Sequence, residues 1–161
     1  MRDGASHLSL DGVRPDPGGR FALVAARFNQ DIVDRLIQGC MEGFSANGVA
    51  ADRVDVYWTP GAFELPTVCG RIARAGGHQA VIALGAVIRG ETAHFEFVAG
   101  SAARGLVDVG TQTGVPTIFG VLTTETHAQA LDRACEGESN HGYQWACSAL
   151  DMALLVRELG G

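Results

Sequence analysis

The stretch Val81-Ile82-Ala83-Leu84-Gly85-Ala86-Val87-Ile88-Arg89-Gly90-Glu91-Thr92-Ala93-His94-Phe95-Glu96-Phe97 decides how this chain folds. Its first half, Val81 to Ile88, is continuously apolar, rich in β-branched residues and too short for a helix. A strand buried on both faces of a parallel sheet reads this way. After Arg89-Gly90 the period changes, and Phe95, Val98, Ala102, Leu106 and Val109 fall at helical spacing. A strand therefore enters a helix through a turn holding Gly90, Glu91, Thr92 and His94. Open parallel sheets bind ligands at such turns, beyond the carboxyl ends of their strands. The free N–H groups and positive dipole end of the new helix favour an anion there.

The same alternation recurs on both sides. Phe21 to Ala26 predicts a buried strand, and Arg27-Phe28-Asn29 a turn with Asn29 as helix cap. Ile32, Val33, Leu36, Ile37, Cys40, Met41 and Phe44 then mark a helix ended by Asn47-Gly48. Val54 to Trp58 reads as a second strand, Pro60-Gly61 as its turn, and Val68, Ile72 and Ala73 as a helix running to Gly76-Gly77. Glu64 falls in the first turn of that helix, where a carboxylate complements the dipole. The third helix ends near Gly114. A fourth strand, Pro116 to Leu122, precedes a helix from His127 to Cys135, a polar break from Glu136 to Asn140 and a last helix carrying Ala146, Leu150, Ala153 and Leu154. Four strand–helix units with right-handed crossovers make a flavodoxin-like three-layer α/β/α sandwich with a four-stranded parallel sheet. Residues 20–161 form this single domain. Residues 1–19, with four glycines and two prolines, read as an arm that is flexible or pairs with a neighbouring subunit.

Composition narrows the function. At 47% hydrophobic and 19% charged the chain has the balance of one globular domain. A net charge of −6 and no basic run argue against nucleic acid as a partner. No apolar stretch reaches the roughly 20 residues of a membrane span, and the first twenty residues lack a signal-peptide core, so a cytoplasmic protein is expected. Cys40, Cys69, Cys135 and Cys147 form no C-x-x-C pair and read as reduced thiols rather than a zinc cluster. All twelve basic residues are arginine. A lysine Schiff base and a P-loop lysine are excluded, and any imine must use a substrate's own amine.

The turn segments, taken in order, resemble those of the 6,7-dimethyl-8-ribityllumazine synthases of riboflavin biosynthesis. They are Ala26-Arg27-Phe28-Asn29, Pro60 to Pro66 (P-G-A-F-E-L-P), Gly85 to Phe95 (G-A-V-I-R-G-E-T-A-H-F) and Gly114 to Thr123 (G-V-P-T-I-F-G-V-L-T). The resemblance spans Phe21 to Leu155. It implies a transferase that condenses 5-amino-6-(D-ribitylamino)uracil with 3,4-dihydroxy-2-butanone 4-phosphate, with no metal or organic cofactor.

The resemblance also distributes roles. Phe28 resembles the aromatic that stacks on the pyrimidine, a contact worth about 1–3 kcal/mol for a flat heterocycle. Ala62, Phe63 and Glu64 resemble the segment that holds the ribityl chain, and Ala86, Val87 and Ile88 the strand edge that reads the pyrimidine through backbone groups. Phe119 resembles a residue closing the ring pocket of a neighbouring subunit. Gly90, Glu91 and Thr92 form the expected phosphate cradle, and Arg133 resembles the arginine that reaches it across a subunit boundary with a forked geometry. His94 resembles the proton-transfer residue. An unperturbed imidazole pKa near 6.5 populates both protonation states at working pH.

Two positions depart from the family pattern: His141 stands where a lysine is usual, and Gln144 where an acid is usual. His141 is an auxiliary candidate for the phosphate, as a hydrogen-bond donor or a part-time charge. The resemblance implies a homo-oligomer with active sites at subunit interfaces. Glu136 to Asn140 lacks the Gly-Thr-Lys-Ala-Gly-Asn pattern of capsids, which favours a pentamer or decamer over a 60-mer. Riboflavin synthase is the macromolecular partner the resemblance suggests. The competing reading is a non-catalytic lumazine- or flavin-binding, or shell-forming, paralogue of the same fold.

Overall fold

Four strands form one parallel sheet in the computed structural model, which describes residues 14–160. They are β1 (Arg20–Ala26), β2 (Val54–Thr59), β3 (His78–Ile88) and β4 (Thr117–Thr124), in the order β2-β1-β3-β4. Five α-helices connect and follow them: α1 (Gln30–Ala46), α2 (Leu65–Ala75), α3 (His94–Thr113), α4 (His127–Arg133) and α5 (His141–Glu158). Side chains alternate across the strands, so β1 sends Phe21, Leu23 and Ala25 into one core and Ala22, Val24 and Ala26 into the other. The first core is closed by Leu36 and Phe44 of α1, Ala130 of α4 and Leu150 of α5, the second by Leu65 of α2 and Leu106 of α3. The expected three-layer sandwich is the result. The chain steps outward from β1 to β2 and then crosses back to β3, so the strand order reverses between β1 and β3. A ligand crevice belongs at that reversal.

The element ends differ from expectation by a few residues. β3 begins at His78, because the β1–β3 ladder continues past an irregularity at Arg20/Phe21 to pair Arg20 with His78. Both residues also hold Asp55 of β2, through hydrogen bonds of 2.9 Å from Arg20 Nε and between His78 Nε2 and the carboxylate. β4 starts at Thr117, because Pro116 has no N–H to donate, and it extends to Thr124 opposite Ile88. α4 stops at Arg133 rather than Cys135, and Asn140 caps α5 by accepting from the Gly142 N–H at 2.7 Å.

Asn29 requires a correction. It occupies the N-cap position of α1, yet its side chain caps nothing; its backbone carbonyl accepts from the N–H groups of Ile32 and Val33. The carboxamide reaches instead to β3, where Nδ2 donates to the Ala86 carbonyl at 2.8 Å.

Residues 14–19 lack helix and strand and are tied to their own chain. Arg14 pairs with Asp151 at 2.7 Å, Asp16 pairs with Arg53, and the Pro17 carbonyl accepts from Arg157 at 3.1 Å. The rest of the expected arm, residues 1–13, lies outside the described residues. Cys40, Cys69 and Cys147 are buried free thiols and Cys135 is half-buried. Burial pushes the Cys69 thiol up to about 12 and that of Cys40 higher still, which makes both inert at neutral pH.

Candidate active site at the carboxyl ends of the strands

The turns after β1, β2 and β3 converge on one cavity of about 690 Å³. From the β1–α1 turn come Phe28 and Asn29, and from the β2–α2 turn Pro60, Gly61, Ala62, Phe63 and Glu64. The end of β3 supplies Ala86, Val87 and Ile88, and the β3–α3 turn and first helical turns supply Gly90, Thr92, His94, Phe95, Phe97 and Val98. Phe28 is 74% exposed, Phe63 59% and Phe97 70%, so three aromatic rings rim a mouth open to solvent.

Each segment is held by local chemistry. The Thr59 hydroxyl donates to the Gly61 carbonyl at 2.9 Å, and the Gly61 N–H donates to Glu64 Oε2 at 3.0 Å. This fixes the short 3-10 turn Ala62–Glu64 and commits one carboxylate oxygen of Glu64 to the backbone. On the β3–α3 turn no side chain of the N-cap residue caps α3, which leaves its N-terminus to an anion, and the Glu96 N–H is already turned to the Ala93 carbonyl at 3.1 Å. The His94 N–H approaches the Thr92 hydroxyl oxygen at 3.4 Å, which leaves the hydroxyl hydrogen to donate outward. A Cβ on Gly90 would meet no atom within 4 Å, so the space before this backbone is open to an anion. Arg89 turns away from it, to Glu125 at 2.9 Å and to Glu96, and lies over the Phe95 ring at 4.2 Å from its centroid.

Of the residues singled out in the sequence, Phe28, Ala62, Phe63, Glu64, Ala86, Val87, Ile88, Gly90, Thr92 and His94 line this one cavity. Glu91 is exposed on the same turn but outside the lining. Phe119, Arg133 and His141 are outside it as well. Phe119 is 39% exposed on the edge strand β4, and Arg133 is exposed on α4 with Nη1 donating to the Gln129 carbonyl at 2.9 Å. His141 opens α5 and packs edge-on against Trp145 at 5.7 Å. No group of three or more His, Cys, Asp and Glu suited to a metal ion occurs among the described residues, and none of their helices is long and apolar enough to cross a membrane. Ala26, Asn29, Pro60, Gly61, Phe95, Phe97 and Val98 line the cavity without having been anticipated. For Phe97 and Val98 the sequence did carry a signal, because three and four residues beyond His94 is one helical turn.

The family model described as 6,7-dimethyl-8-ribityllumazine synthase matches residues 18–157. The chain belongs to the 6,7-dimethyl-8-ribityllumazine synthase family. A protein of that name from Synechocystis sp. is 50% identical over 144 residues, covering 87% of either chain. In this lumazine synthase family member Arg133 bears on the electrostatics of His141. Burial, and secondarily the charge of Arg133, hold the His141 imidazole below its ordinary pKa.

Proposed function

We propose that this protein condenses 5-amino-6-(D-ribitylamino)uracil with 3,4-dihydroxy-2-butanone 4-phosphate to 6,7-dimethyl-8-ribityllumazine, releasing phosphate and water. The observation that carries the reading is the meeting of three recognition elements in one cavity. An exposed aromatic ring, Phe28, faces a strand end with backbone groups to spare, and an uncapped helix start with Gly90 and Thr92 stands beside His94. A heterocycle stacks on the first, is read by the second, and sets its amine near an anion held by the third.

The chemistry follows from those places. The substrate's amine attacks the ketone to give a carbinolamine, which loses water to form an imine. Inorganic phosphate is eliminated, and the ribityl-bearing nitrogen closes on the remaining carbonyl with loss of a second water. No enzyme amine is needed, in keeping with a chain without lysine. His94 moves protons between amine, carbinol and leaving groups, a contribution typically about 10²–10⁴-fold. Phe63 and the free oxygen of Glu64 are assigned to the ribityl chain. Phe119 and Arg133, remote from their own cavity, are assigned to the open flank of a neighbouring copy's cavity, in a pentamer or decamer. Retention of both His94 and Arg133 speaks against a non-catalytic paralogue.

The test mixes both substrates and follows the lumazine absorbance. The native protein turns over, while His94→Ala lowers kcat by about 10²–10⁴-fold and binds inorganic phosphate as before. Unchanged turnover in the variant refutes the role of His94, and no lumazine from the native protein refutes the function.

A further inference from the structure

We propose that Asn29 is a positioning residue that sets how far a planar heterocycle can travel along the open edge of β3. The inference rests on the functional reading above. Its starting point is the alternation of a parallel ladder, in which successive residues turn their N–H and C=O to opposite neighbours. Val81 and Arg89 both donate toward β4, to the carbonyls of Pro116 at 2.8 Å and Thr124 at 2.9 Å. The residues two, four and six along from Val81 therefore face β4 as well, and Ala86 and Ile88 face the other way, toward β1. But β1 ends at Ala26, and its last paired positions are Ala25 and Leu84. From Ala86 onward β3 has outrun its neighbour, while β4 continues alongside to Ile88.

The chain after β1 turns away to start α1, and Asn29 is where it turns. At φ 56° and ψ 48° it is left-handed, alone in this among the described non-glycine residues. Asparagine tolerates this conformation better than other side-chain-bearing residues. It leaves Phe28 exposed on the cavity rim and sends the carboxamide back to the Ala86 carbonyl at 2.8 Å. A side chain thus supplies the rung that β1 no longer provides. The Ala86 carbonyl is sealed, and the first carbonyl open to a ligand on this edge is that of Ile88, two residues nearer the mouth.

Without that rung the Ala86 carbonyl would become a second acceptor about 6–7 Å deeper, the rise of two strand residues. A ring with a donor and an acceptor on its edge could then occupy either register. Only one register keeps its amine beside His94 and the anion cradle. Asn29 removes the other and holds the strand end rigid while the ring binds.

Two substitutions separate this role from simple folding. Asn29→Gly keeps the left-handed turn and deletes the rung, whereas Asn29→Asp keeps the shape and sets a carboxylate against the Ala86 carbonyl. The probes are 6-(ribitylamino)uracil, which lacks the reacting amine, and inorganic phosphate, each titrated calorimetrically. Both variants should bind the pyrimidine probe no more weakly than the native protein, because the second register adds to the first, while kcat falls about twofold or more as part of the bound ring sits away from His94. Phosphate affinity should stay within about twofold of native, and KM for the pyrimidine should stay level or fall with kcat, the mark of unproductive binding. Native kcat in both variants overturns the inference. So does an equal weakening of both ligands that follows a fall in the urea midpoint, since that is the mark of a merely structural residue. If the native protein does not bind the pyrimidine probe, the functional reading fails first and the inference with it.

Discussion

Replacing Gly90 with alanine places one methyl group in the proposed anion cradle and disturbs nothing else. Gly90 lies outside the left-handed region, and no atom stands within 4 Å of where its Cβ would be. The folded protein therefore accepts the methyl without strain, and the unfolded chain loses freedom, a gain of about 0.4–1 kcal/mol. A phosphate that approaches the Gly90 backbone meets the methyl directly. Backing away costs one charge-assisted hydrogen bond to the turn, about 1.5–3 kcal/mol. Affinity for inorganic phosphate should then fall about 10- to 100-fold. Three measurements separate the contributions: a urea midpoint equal to or above native, a raised phosphate dissociation constant with a matching rise in KM for the phosphorylated ketone, and unchanged binding of 6-(ribitylamino)uracil. A stable Gly90→Ala protein with native phosphate affinity would show that the anion does not lie on this turn.

Two further predictions concern pH. The Arg20 guanidinium and then His78 hold the Asp55 carboxyl far below the usual carboxylate range. Such a group contributes stability that is present above about pH 4 and is lost as pH falls through its depressed value. Asp55→Asn should lower the urea midpoint modestly at pH 7, since the cluster is partly exposed, and flatten the decline between pH 4 and pH 2; an unaltered acid limb would remove Asp55 from the account. Burial and then Arg133 hold the His141 imidazole below its ordinary pKa, so its charge is gained on acidification. If it assists a phosphate, KM for the phosphorylated ketone should show a component that improves as pH falls through the depressed value of this imidazole. His141→Lys should remove that component and lower KM several-fold at pH 7.5, charged hydrogen bonds being roughly twice as strong as neutral ones. Superimposable profiles for the two proteins would exclude a charge role at this position.

Strands with continuous β-branched runs were legible because burial on both faces leaves no polar residue in them. Their ends were less so, because ends are decided by partners distant in sequence. His78 joins β3 through Arg20 and Asp55, and Thr123 and Thr124 extend β4 because Val87 and Ile88 run beside them. The converging turns were legible for a related reason. Every strand of a parallel sheet ends on the same side, so Phe28, Glu64 and His94 had to gather there once the alternation was read. Asn29 resisted, since a capping residue and a cross-strand brace look alike in sequence and differ only by what lies 57 residues away at Ala86. Phe119 and Arg133 mark a different limit. Neither touches its own cavity, and a single chain holds no information about a second copy's position.

The three exposed rings at the rim bear on timing as well as affinity. An imine is made by shedding water and is undone by the same molecule. A pocket that admits solvent along one side therefore works against its own intermediate, whatever its affinity for the substrates. In that setting whatever covers Phe28, Phe63 and Phe97 acts as a desiccant, and turnover per chain should fall on dilution by more than the accompanying loss of substrate affinity accounts for.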